Sequence, residues 1–163
     1  MSIPTGKYYL LLAVATLVVI IDQASKYIIV THVGLYESIT VIPGFFNIVH
    51  VQNPGAAFGL FAQQAPMIRN IVLIGASVIA MGVILYLFYQ TPATYPLLSA
   101  GFALILGGAA GNMIDRLRWG KVVDFFDLYI GSFHWPAFNV ADSAISVGMV
   151  VFAYYVIFRK VPI

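Results

Sequence analysis

The chain has 163 residues, 61% of them hydrophobic and only 9% charged, with a net charge of +2 and no cysteine. A soluble domain of this length carries about 25% charged residues, so there is too little polar surface here for a water-soluble globule. The small net charge and the lack of a basic tract argue against a nucleic-acid partner, and the absence of cysteine excludes disulfides, thiolate chemistry and cysteine-ligated metals.

Apolar stretches predict four transmembrane helices, at about 8–30, 67–89, 95–114 and 140–158. Each is near the roughly 20 residues that cross a bilayer core. The first could pass for a signal peptide with Lys7 as its basic end. An uncleaved span is the better reading, because apolar character resumes after Lys26 and three more spans follow. No internal repeat is present, so the chain reads as one membrane-embedded domain, residues 1–163.

Within the first span Asp22 and Lys26 stand four residues apart, on one helix face, and can pair. A charge inside a span costs about 2.5–3.5 kcal/mol on insertion scales and is functional by default. A structural ion pair explains these two residues equally well. Residues 38–42 and 45–52, rich in β-branched and aromatic side chains, flank Pro43-Gly44 and predict two small strands around a turn. Spans two and three are joined by the tight "QTPAT", with Pro92 as its breaker.

The third span ends in "GGAAGNMIDR". Gly107, Gly108, Ala109, Ala110 and Gly111 let helices approach closely. Asn112 and Asp115 share a face, and Arg116 offers a planar fork suited to a carboxylate. A buried Asp115–Arg116 pair fixing span three to its neighbours is the favoured reading. The connection 115–139 mixes charges with Trp119, Phe125, Phe126, Tyr129, Phe133 and Trp135. Aromatics of this kind favour the membrane–water interface, and a partly helical, amphipathic, interfacial segment is expected. Phe125, Phe133 and Trp135 are candidates for a lid or lipid-facing wall.

Asp124 lies between Val122, Val123, Phe125 and Phe126, company that raises a carboxyl pKa. A second carboxylate nearby would leave a pair sharing one proton, and Asp142, at the start of span four, is the natural partner. Asn139, three residues earlier, can cap that helix or hydrogen-bond a substrate. A plain helix start explains Asn139 and Asp142 as well. Asp127 reads as a surface charge outside the site. His32, His50 and His134 lack metal-ligand spacing, and neither a G-x-S-x-G elbow nor a phosphate-binding glycine loop occurs.

Four spans put both termini on one side and both long connections on the other. All six acids, with Asn47, Asn53, Asn112 and Asn139, then fall at or near one membrane face, which marks the working face. That face also carries Lys26, Arg69, Arg116, Arg118 and Lys121, against Lys7, Arg159 and Lys160 opposite. A positive-inside count would therefore place the working face in the cytoplasm. The residues alone allow three chemistries: a peptidase, a proton-coupled transporter, or an enzyme acting on lipid phosphates with magnesium at Asp115, Asp124 and Asp127.

Asp22-x-x-x-Lys26, "NPGAAFG" (53–59), "GNMIDR" (111–116), "VVDF" (122–125) and "FNVAD" (138–142), in this order across the whole chain, resemble the lipoprotein signal peptidase family, the type II signal peptidases of bacteria. The resemblance implies an aspartic endopeptidase of the inner membrane that removes the signal peptide from a prolipoprotein just before its diacylglyceryl-modified cysteine. It implies that Asp124 and Asp142 are catalytic. Asp22, Lys26, Asn53, Gly55, Asn112, Asp115, Arg116 and Asn139 would shape the site and hold the substrate. It implies no cofactor and no metal, cytoplasmic termini and an active site near the periplasmic or outer face, against the charge count. The expected partners are the bilayer and the lipid-modified substrates, and the expected state is a monomer.

Overall fold

The computed structural model describes residues 5–55 and 65–159. Four long helices, α1 (Thr5–His32), α2 (Pro66–Gln90), α3 (Pro96–Trp119) and α4 (Val140–Tyr154), carry the four apolar stretches. Their ends follow local chemistry. Pro66 and Pro96 sit in the first turns of α2 and α3, where a missing N–H leaves no bond unmade. Gly120 closes α3 in the left-handed region, at φ 68°. A π-helical turn, Tyr155–Arg159, extends α4, giving a fourth segment of 20 residues able to cross a membrane.

Helix α3 is the central one: its apolar stretch is 61% buried, against 11–17% for the other three. Small residues make this possible. A Cβ on Gly107 would lie 2.8 Å from the Ala15 carbonyl oxygen of α1, and one on Gly111 would lie 2.5 Å from the Asp22 carboxylate. The glycine-rich run thus lets α1 and α4 close on α3. Toward the end of the bundle where α1 begins, Phe88, Leu98, Phe102 and Ile105 form an apolar core. There Lys7 of α1 donates to the Tyr89 and Thr91 carbonyls and satisfies oxygens that the end of α2 leaves free. The outer faces remain apolar, with Ile79 and Val150 about 70% exposed as suits contact with lipid.

At the other end stands a four-stranded antiparallel sheet in the order β1-β2-β3-β4. Strands β1 (Ser38–Ile42) and β2 (Phe46–Asn53) are the predicted hairpin, turned by Gly44 at φ 80°. The segment before span four departs from expectation. Its first residues, 115–119, are helical as the end of α3, and the rest forms β3 (Val122–Ile130) and β4 (Phe133–His134). Valines and aromatics favour the pleated surface, and β3 is sandwiched. Val123 and Phe125 pack with Ile29 of α1 and Val33 just beyond its end, whereas Val122, Asp124 and Leu128, at alternate positions, line a cleft. Phe125 is therefore core and not lid, while Phe133 and Trp135 are exposed. Asp127, expected as a surface charge, is buried.

Candidate active site

The cleft has a volume of about 640 Å³ and lies where the sheet meets α3 and α4. Polar groups on its wall include Asn53, Asn112, Arg116, Asp124, Asp142, Ser143 and Ser146, and apolar ones include Leu128, Trp135, Phe138 and Ile145.

Asn139 organises the centre. Its side-chain oxygen accepts from the Asp142 backbone N–H at 2.9 Å, and its own backbone N–H donates to Asp142 Oδ2 at 3.2 Å, a reciprocal cap on α4. Its Nδ2 donates to Asp124 Oδ1 at 2.7 Å. Asn139 therefore caps α4 and reaches Asp124 at the same time. Asn53, at the end of β2, donates to Asp124 Oδ2 at 3.0 Å and accepts from the Gly55 N–H, which folds the chain back as it leaves the sheet. The rest of the "NPGAAFG" stretch, 56–59, lies outside the described residues.

Asp142 Oδ1 accepts from Asn112 Nδ2 at 2.8 Å. The orientation of that amide is fixed behind the cleft. Asn112 Oδ1 receives Lys26 Nζ at 2.9 Å and Asn139 Nδ2 at 3.2 Å, so its nitrogen must face Asp142. Lys26 in turn lies 2.9 Å from Asp22 and 2.8 Å from Asp115, all three nearly inaccessible. Asp22 also accepts the Ala141 N–H at 3.0 Å, tying α1 to the first turn of α4. The i,i+4 pair predicted within α1 is present, and Asp115 completes it from α3.

The expected Asp115–Arg116 pair is absent. Adjacent residues of a helix point about 100° apart, so Asp115 faces α1 while Arg116 faces the cleft. There the guanidinium acts electrostatically on Asp142, Asp124 and Asp115. Gln23 escapes the sequence reading, although it is a polar residue beside Asp22 inside a span. Its amide nitrogen reaches Asp22, the Gly111 carbonyl and Asp115.

Burial and then the neighbouring Asp142 charge raise the Asp124 carboxyl from its ordinary 3.8 to about 7, against the opposing pull of the Asn53 and Asn139 hydrogen bonds and of Lys26. Two carboxyl groups on one water-accessible cleft, one of them able to hold a proton near neutrality, can do general acid and general base work together. The magnesium arrangement fails on geometry. Asp115 is engaged by Lys26 and Asp127 by Asn47 and His134, and among the described residues no three acidic or histidine side chains converge as a metal set.

The comparisons agree with this architecture. The model of the family described as signal peptidase (SPase) II matches residues 14–158. A lipoprotein signal peptidase of Desulforapulum autotrophicum is 54% identical over 149 residues, 91% of this chain and 92% of that one. The lipoprotein signal peptidase of Geobacter sulfurreducens is 44% identical over 150 residues, 92% of this chain and 91% of its own. A solved bacterial membrane enzyme, determined by the in meso method, superposes with a TM-score of 0.83 at 32% identity, covering 92% of this chain and 88% of that chain. Four membrane-crossing helices, a polar cleft and these likenesses lead to one assignment: the chain belongs to the signal peptidase II family, a family of membrane peptidases.

Proposed function

We propose that the protein is an aspartic endopeptidase that cuts lipid-modified prolipoproteins just before the diacylglyceryl-cysteine, with Asp124 and Asp142 as the catalytic pair. The observation that carries this reading is the double engagement of Asn139, which holds Asp124 by its side chain and Asp142 by its backbone on one cleft.

Asp142 is the ionised partner and takes a proton from a water molecule, whose oxygen attacks the scissile carbonyl carbon. Asp124 carries the proton and hydrogen-bonds the developing oxyanion, and as the C–N bond breaks Asp142 passes the proton it took from water to the leaving nitrogen. Asn112, Asn139 and Asn53 keep both carboxyls in place; Arg116, facing the cleft, holds the substrate backbone. Asp22, Lys26 and Asp115 brace Asn112 from behind, and Gly55 supports Asn53. No covalent intermediate or cofactor takes part.

The cleft lies at the sheet end of the bundle, where water meets lipid. A signal peptide is itself an apolar helix, and its acyl-modified cysteine stays in the bilayer, so a site at this depth brings water to a bond whose flanks remain in lipid. The termini are cytoplasmic and the cleft opens on the outer side of the inner membrane. The excess of basic residues at the cleft end does not oppose this, because Lys26 and Arg116 are committed to the site.

The test uses the purified chain in detergent with a diacylglyceryl-modified prolipoprotein and follows signal-peptide loss by gel shift. The parent cuts in EDTA, whereas folded Asp124→Asn and Asp142→Asn variants do not. Cleavage by both variants would remove the pair from the mechanism.

A further inference from the structure

Asp127 has no part in that chemistry, yet it is only 8% exposed. Three residues along β3 from Asp124, it points to the opposite side of the strand, away from the cleft lining. A buried carboxylate is costly unless it is hydrogen-bonded, and Asp127 is fully engaged. Asn47 Nδ2 of β2 donates to its Oδ2 at 2.8 Å, and His134 Nδ1 lies 2.8 Å from its Oδ1. The His134 ring stacks on Tyr129 of β3, centroids 4.9 Å apart and 8° from parallel. The Tyr129 hydroxyl in turn accepts the Gly44 N–H of the β1–β2 turn.

The segment after His134 gives this cluster a purpose. Trp135, Pro136 and Ala137 form one wall of the cleft. At its far end the segment is held by Phe138, which bridges to Phe126. At its near end it is held by the Trp135 N–H on the Leu128 carbonyl and by His134. Pro136 between them has no N–H to give. The wall's position therefore rests on its two ends.

We propose that Asp127, Asn47 and His134 are positioning residues that hold the Trp135–Ala137 wall against the apolar part of the substrate. They set how tightly substrate binds and leave bond breaking alone. This rests on the peptidase reading above.

Two substitutions at the half-exposed His134 separate the hydrogen bond from the ring stack. His134→Phe keeps a ring on Tyr129 and loses Nδ1, whereas His134→Asn keeps a nitrogen donor for Asp127 and loses the ring. With a diacylglyceryl-modified prolipoprotein, His134→Phe should raise KM about fivefold, the scale of one such hydrogen bond, with kcat within about twofold. His134→Asn should return KM to near the parent value. An unchanged KM in His134→Phe, an equal rise in both variants, or a fall in kcat without a change in KM overturns the cluster's role. Asp124→Asn is measured alongside: cleavage by the parent and none by Asp124→Asn keeps the peptidase reading standing whatever His134 does. A parent that does not cleave overturns both.

Discussion

Asn112 turns its amide nitrogen to Asp142 at 2.8 Å, and it has no freedom to do otherwise, because its oxygen is already committed to Lys26 and Asn139. Side-chain amides are often ambiguous in direction, yet here an ammonium decides it, since Lys26 can only donate. Asp142, a member of the proposed catalytic pair, is thereby presented with a donor fixed from behind by three charges. Asn112→Asp tests this with almost no change of shape. It sets an oxygen against Asp142, and the variant should lose about tenfold to a hundredfold in kcat/KM, the worth of a hydrogen bond to a charged group. Asn112→Asp cutting at the parent rate would show that the amide direction has no consequence.

Lys26 stands between two carboxylates that water does not reach. Breaking a buried ion pair from one side leaves uncompensated charge and costs about 3–5 kcal/mol. Lys26→Met should therefore lower the thermal unfolding midpoint in detergent sharply. Combining it with Asp115→Asn, which leaves one uncompensated carboxylate in place of two, should recover part of that loss. A single variant as stable as the parent would show that Asp22 and Asp115 find other partners.

The four spans and the first hairpin are legible because each is a local pattern: length and apolarity for the helices, β-branched runs around Pro43-Gly44 for the strands. The Asp22–Lys26 pair is legible for the same reason, being one helical turn apart. Strand β3 is not, because it is buried on both faces and shows no alternation at Val122–Phe125. Nor could spacing show that Lys26 reaches across to Asp115 and Asn112, or that Asp127 is enclosed by Asn47 and His134. Those partners lie 80 or more residues apart, or on the far strand of a hairpin, and only the packing of α3 and the closure of the sheet bring them together. The pairing of Asp124 with Asp142 rests, in the sequence, on motif resemblance; the residues alone leave it open.

Gly111 couples the packing of α1 on α3 to the position of Asp22. A Cβ there would lie 2.5 Å from an Asp22 oxygen, so Gly111→Ala must push α1 from α3 or displace the Asp22–Lys26 pair. Overpacking of this kind costs about 1–3 kcal/mol, and the variant should be both less stable and slower. Gly82→Ala is the control. It lies on α2 with nothing within 4 Å of the added methyl, and alanine in place of glycine within a helix favours folding by about 0.5–1 kcal/mol. Equal unfolding midpoints for the two variants would count against close α1–α3 packing as the role of Gly111.

Asp124 links the reaction to folding through one proton. Its carboxyl stands at about 7 in the folded protein against an ordinary 3.8. Between those values the folded state binds a proton that the unfolded chain has released, so stability is full below about pH 4 and falls as pH rises to about 7. A shift of about 3 units sets an upper limit near 4 kcal/mol, with the opposing hydrogen bonds from Asn53 and Asn139 already counted in it. Asp124→Asn cannot ionise. Its unfolding midpoint relative to the parent should therefore rise between pH 4 and pH 7 and stay level above. Under the proposed mechanism the parent's kcat/KM should fall as pH passes about 7, because Asp124 loses the proton it offers the oxyanion. A midpoint difference that does not vary with pH would mean that Asp124 is ionised in the folded enzyme throughout, and Asp142 would then have to carry the shared proton.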